Sequence, residues 1–158
     1  MDIGQSLSQN YPKNADFSLA YQGILLRCGY TQRASEENDR LAALARVEGL
    51  AGFSPIEYER SLELGKIRIM VAKRNIEGLR QTSLEDLELR PYLDFAMGNV
   101  LDLNHQYDES QEFYNLVIQS PDTPESLRLS ANMRLHHPYK ETIGKKSGQT
   151  LFIQDCVQ

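Results

Sequence analysis

RPYLDFAMGNVLDLNHQYDESQEFYNLVIQSPD, residues 90–122, decides the fold, because it reads as two short helices folded back on each other with small residues where they touch. Met97 and Gly98 sit together on the first helix, with Leu101 three positions on. After a turn at Asn104, His105 and Gln106, the second helix carries Tyr107, Ser110, Tyr114 and Val117 at helical spacing, and Pro121 closes the stretch. Gly98 and Ser110 are small for a packing reason: two helix backbones approach closely only where no large side chain holds them apart.

Working outward, start and stop signals predict further helices and almost no strand pattern. Residues 1–13 are polar and read as a frayed segment. A first helix is predicted over 16–28, with Phe17, Ala20, Tyr21, Ile24 and Leu25 on one stripe and Gly29 as its stop. A second, over 35–48, runs through Leu41, Leu44 and Ala45. Its Glu36, Glu37 and Asp39 suit the positive end of a helix dipole, and Gly49 and Gly52 follow it. The third opens on Ser54 as N-cap, with Pro55 at the first helical position and Glu57 completing a capping box, while Phe53 and Tyr58 are placed for a hydrophobic staple.

That third helix continues through Leu62, Gly65, Ile69 and Ala72, and Ile67, Met70 and Val71 widen its apolar face enough to predict burial on two sides. A short helical piece over 75–80 is followed by Thr82 and Ser83 as caps for 84–89, and Pro91 opens the hairpin already described. Downstream, Thr123 and Pro124 are expected to cap a last helix over 125–136, with Leu127, Ala131 and Leu135 toward the core.

The 90–122 hairpin resembles a tetratricopeptide repeat (TPR). Gly98 with Asn99, then Leu101, the turn Tyr107, Asp108, Glu109, the small Ser110 and the aromatic Tyr114 follow the family order. Asp94 stands where the family has a large aromatic, Ser110 where it has Ala, and Pro121 comes one place early. Gly65 and Gly98 lie 33 residues apart, close to one repeat period, whereas Gly23 and Gly65 are 42 apart, which leaves the N-terminal pair with an insertion or makes it a different hairpin. The resemblance implies an all-α chain: antiparallel helical pairs in a short TPR-like right-handed solenoid over 14–138, its last helix serving as the cap that such a stack needs. Residues 139–158 are expected to form an extended C-terminal arm, with plain disorder as the rival reading. Its 150–157 stretch, TLFIQDCV, loses the helical period, and Leu151, Phe152 and Ile153 are expected to anchor it to an apolar surface.

Composition narrows the function. A chain of 158 residues with 41% hydrophobic content has enough apolar material for one compact domain. A formal charge of −5 and a pI near 5.2 argue against nucleic acid, whose binding needs clustered Lys and Arg. Apolar runs of a few residues fall far short of the roughly 20 required to span a bilayer, so no membrane span is expected. Residues 1–16 lack both a basic start and an apolar centre, which reads as a cytoplasmic chain. Cys28 reads as a small buried hydrophobe, and two cysteines, Cys28 and Cys156, neither require nor forbid a disulfide.

Catalytic chemistry is not written into the residues. Gly144, Lys145, Lys146 and Ser147 glance at a phosphate loop, but Tyr139 stands where its first Gly belongs and Lys146 where its Ser or Thr belongs. His136 and His137 are adjacent and point to different faces, and His105 stands alone in a turn, so neither a metal site nor a cofactor is expected. The carboxylates are explained by helix starts and solvated faces. A binding protein is the expectation, not an enzyme. What the resemblance implies is an adaptor that holds a peptide or helix of a partner protein on a concave face flanking the small Gly of each first helix: here Tyr92, Phe95, Asn99 and Asp102, with Lys66 beside Gly65. The alternative is self-association, as a structural subunit or assembly factor of a bacterial secretion, pilus or envelope complex.

Overall fold

A computed structural model describes residues 15–48 and 55–138 of the chain. Among them are seven α-helices, a 3-10 turn and no strand, so the all-α expectation holds. Ser54 of the expected capping box, Phe53 of the expected staple, Gly49, Gly52, residues 1–13, and the expected arm over 139–158 with Leu151, Phe152, Ile153 and Cys156 lie outside the described residues. The chain forms two compact units, Met1–Ala72 and Lys73–Gln158.

The first unit contains α1 (Ala15–Arg27), α2 (Thr31–Glu48) and α3 (Pro55–Ala72). Gly29 does what its position predicts. At φ 79° it turns the chain out of α1, while its N–H donates to the Leu26 carbonyl at 3.2 Å and that of Tyr30 to the Leu25 carbonyl at 2.8 Å, the paired bonds of a Schellman ending. That turn delivers the chain straight into α2, which therefore starts at Thr31, a turn before the expected Ser35. In consequence Glu37 is not a first-turn acid facing water. It is buried and paired with Arg40 at 2.6 Å, and this hydrogen bond holds the Arg40 guanidinium protonated beyond the usual arginine range.

α2 packs on α1, and α3 lies against both. Tyr21, Leu25, Ala34 and Ile69 make one apolar cluster, and Leu41 with Tyr58 makes another, flanked by Leu19 and Leu62. Two expectations for α1 are corrected: Ala20 is exposed, and Cys28 is only partly buried. The predicted stripe omitted Ser18 and Gln22, both fully inside. Gln22 Nε2 donates to Asn38 Oδ1 at 2.8 Å, Arg40 reaches Ser18 Oγ, and Gly65 of α3 closes over the Gln22–Asn38 pair. On α3, Ile67 and Ile69 are both buried although they point to nearly opposite sides of a helix, as its wide apolar face predicts.

The second unit begins with α4 (Ile76–Arg80), whose Asn75 side chain caps it by accepting from the Gly78 N–H at 2.9 Å. A 3-10 turn (Leu87–Leu89) then leads into α5 (Arg90–Leu103). Asp86 caps that turn by accepting from the Glu88 N–H; the expected caps Thr82 and Ser83 do not, and Thr82 Oγ1 instead donates back to the Gly78 carbonyl at 2.8 Å.

α5 is followed by α6 (Tyr107–Gln119) and α7 (Glu125–His136). α5 ends as α1 does, with His105 at φ 64° in the left-handed place and Gln106 N–H bonded to the Leu101 carbonyl at 2.9 Å; His105 thus has a turn-forming role, its ring bonded to the Tyr107 hydroxyl at 2.6 Å. Arg80 of α4 pairs with Glu109 of α6. α6 lies between α5 and α7, which also touch. Tyr114, Val117 and Ala131 form the core there, with Phe95, Ile118, Leu127 and Leu135 packed around it. The predicted bounds of the last helix are met, but Thr123 does not cap it: its hydroxyl is buried and has no hydrogen-bond partner among the described residues, and Arg128 instead ties the loop by donating to the Ser120 and Thr123 carbonyls.

Candidate functional site

The residues of interest on α5 follow from its periodicity. Tyr92, Phe95, Asn99 and Asp102 recur every three or four positions and so share one side of the helix. The neighbouring side is given over to packing, with Leu93, Ala96, Met97, Val100 and Leu101 buried.

Gly98 opens the space in which the site is organised. A β-carbon there would stand 2.6 Å from Cε1 and 2.8 Å from Cδ1 of Tyr114, so the ring occupies the place a side chain would take. Laid across the helix in this way, Tyr114 meets three of its residues. Its ring tilts at 51° against Phe95 with centroids 5.9 Å apart. Its hydroxyl donates to Asn99 Oδ1 at 3.0 Å and lies 3.4 Å from Asp102 Oδ2. With Oδ1 engaged, the Asn99 amide nitrogen makes no hydrogen bond among the described residues.

Burial separates the expected residues. Tyr92, Phe95 and Asn99 are half-buried, so each presents part of its side chain to solvent. Asp102 is fully buried; its carboxylate belongs to the Tyr114 network and does not line an open surface, which corrects its expected place beside the other three. Lys66 is exposed on α3 in the first unit. The repeat pattern predicts Tyr114 only as an aromatic, and the structure adds the role of its hydroxyl. The signal for it was the placement of an amide and a carboxylate three residues apart on the helix opposite.

Among the described residues, no group of three His, Cys, Asp or Glu is placed to hold a metal, and no helix is long and apolar enough to cross a membrane. The sequence around Lys145 lies outside the described residues. In comparisons with protein-family models, with curated proteins and with solved structures, nothing matches this chain.

Proposed function

We propose that the chain is a non-catalytic adaptor that binds a peptide or helix of a partner protein on the half-buried side of α5, through Tyr92, Phe95 and Asn99. In this reading the helix pairs are TPR-like repeats, and Lys66 stands beside Gly65 in its own unit as Asn99 stands beside Gly98. The observation that carries it is the Asn99 carboxamide, whose oxygen is held by Tyr114. An amide fixed by its oxygen keeps two N–H donors for a main-chain carbonyl or a carboxylate of the partner. The half-buried rings of Tyr92 and Phe95 offer it flat apolar area at small cost in side-chain entropy. Asp102 enters indirectly, by orienting Tyr114.

The test is to capture a partner with the immobilised full chain, purify it, and map amide hydrogen exchange with and without it. Slowed exchange in α5, with α4 unaltered, is the expected pattern. Protection confined to other helices would remove α5 as the binding surface.

A further inference from the structure

The corner where α1 turns into α2 presents an arginine held between two tyrosines. Arg33, in the first turn of α2, is exposed. Its Nη2 donates to the hydroxyl of Tyr21 at 2.5 Å, and its guanidinium carbon lies 6.0 Å from the centroid of the Tyr21 ring and 5.7 Å from that of Tyr30, within cation–π reach of both. The tyrosines are themselves anchored. Tyr21 is buried in the core of the unit, and the backbone of Tyr30 is fixed by the bond to Leu25 that closes the turn, while its side chain is left 51% exposed.

The acids nearest along the helix do not claim this guanidinium. Glu36 and Glu37 stand three and four positions on, the spacing of helical ion pairs, but Glu36 accepts from Gln32 Nε2 at 3.2 Å and Glu37 pairs with Arg40 at 2.6 Å. Arg33 makes no ion pair among the described residues. A guanidinium carries a planar fork of N–H donors, and the bond to Tyr21 occupies one of them. A carboxylate takes two others side by side. Holding the fork in place beforehand lowers the entropy lost on binding, and an exposed tyrosine beside an arginine is the composition of an interface anchor. We propose that Arg33, oriented by Tyr21, binds a side-chain carboxylate of an acidic segment of a partner protein, with the exposed ring of Tyr30 covering the carbon stem of the bound residue. The site lies wholly within the first unit, so it stands or falls independently of the α5 reading.

Fluorescence anisotropy of the full chain with a short labelled peptide of alternating Glu and Ala tests it. The peptide should bind, its Gln and Ala counterpart should not, and the affinity should fall as salt is raised. Arg33→Ala and Tyr30→Ala should each weaken binding by about tenfold or more, as truncation of an anchor does, with unchanged helical circular dichroism because both side chains are exposed. Arg33→Lys keeps the charge but loses the fork, so it should bind almost as poorly as Arg33→Ala. No binding by the wild-type chain, equal binding of the Glu and Gln peptides, or an Arg33→Lys chain as tight as wild type overturns the proposal. A phosphoserine and Ala peptide that binds where the Glu peptide does not would contradict the carboxylate assignment.

Discussion

Gly98 of α5 is covered by the ring of Tyr114 of α6, the β-carbon position lying 2.6 Å from Cε1. The ring has little room to retreat. It is almost completely buried, packed against the tilted ring of Phe95 and held at its hydroxyl by Asn99. Gly98→Ala is therefore expected to destabilise the protein by about 1–3 kcal/mol, the usual cost of overpacking a tight core, even though Ala in an open helix would gain about 1 kcal/mol over Gly. Gly98→Leu should cost at least as much. Gly23→Ala is the control: nothing lies within 4 Å of its β-carbon position, so there the propensity gain should appear. Thermal melts of the three variants read the difference, and a Gly98→Ala melting temperature at or above wild type would refute the close packing.

Gly65 makes the corresponding approach to a polar neighbour. Its β-carbon position is 2.3 Å from Asn38 Oδ1 and 3.1 Å from both polar atoms of the Gln22 amide. Gly65→Ala must push Asn38 aside and break the buried Gln22–Asn38 bond, leaving donors unsatisfied at about 1–3 kcal/mol. Asn38→Ala removes the obstruction. A double-mutant cycle should then show Gly65→Ala costing less in the Asn38→Ala background, with a coupling on the order of 1 kcal/mol. Additive losses would mean that the two residues do not meet.

Tyr58 predicts the alkaline limb of stability. Its hydroxyl donates to the Leu41 carbonyl, and burial pushes its pKa above the ordinary 10.0, against a smaller pull downward from the Arg40 charge. The folded chain therefore holds this proton more tightly than the unfolded one. Stability from Tyr58 is complete below the unfolded value near 10 and is lost as pH rises through the folded value. Tyr58→Phe should lower stability at neutral pH by about 0.5–1.5 kcal/mol and flatten the loss seen at higher pH. Denaturant titrations across that range check the sign; an alkaline slope unchanged by the substitution would contradict it.

Much of the helical architecture is legible in the sequence because each signal acts locally. Gly29 stops α1 through its own backbone angle, Pro55 marks the start of α3, and Leu127, Ala131 and Leu135 point α7 inward by period alone. What the sequence hides is pairing between elements. Glu37 looks like a first-turn acid until the helix is seen to start at Thr31; Ser18 and Gln22 look like surface residues until Arg40 and Asn38 arrive from α2. Asp102 follows the same rule. Its position on the face of Tyr92, Phe95 and Asn99 is fixed by helical spacing, but its burial depends on the hydroxyl of Tyr114, which arrives from α6. Thr123 shows the converse, a residue of capping type whose loop is tied by Arg128.

The proposed binding of a partner by α5 through the Asn99 amide is decided by calorimetric titration of the captured partner into wild type, Asn99→Ala and Tyr92→Ala. Tyr92 is half-buried, so Tyr92→Ala should leave the melting temperature near that of wild type, whereas Asn99→Ala removes the acceptor of the Tyr114 hydroxyl and should cost about 0.5–1.5 kcal/mol of stability without unfolding the chain. Binding to wild type should be lost by about tenfold or more in each variant, corresponding to roughly 1.4 kcal/mol. Affinities equal to that of wild type in both variants would contradict the account.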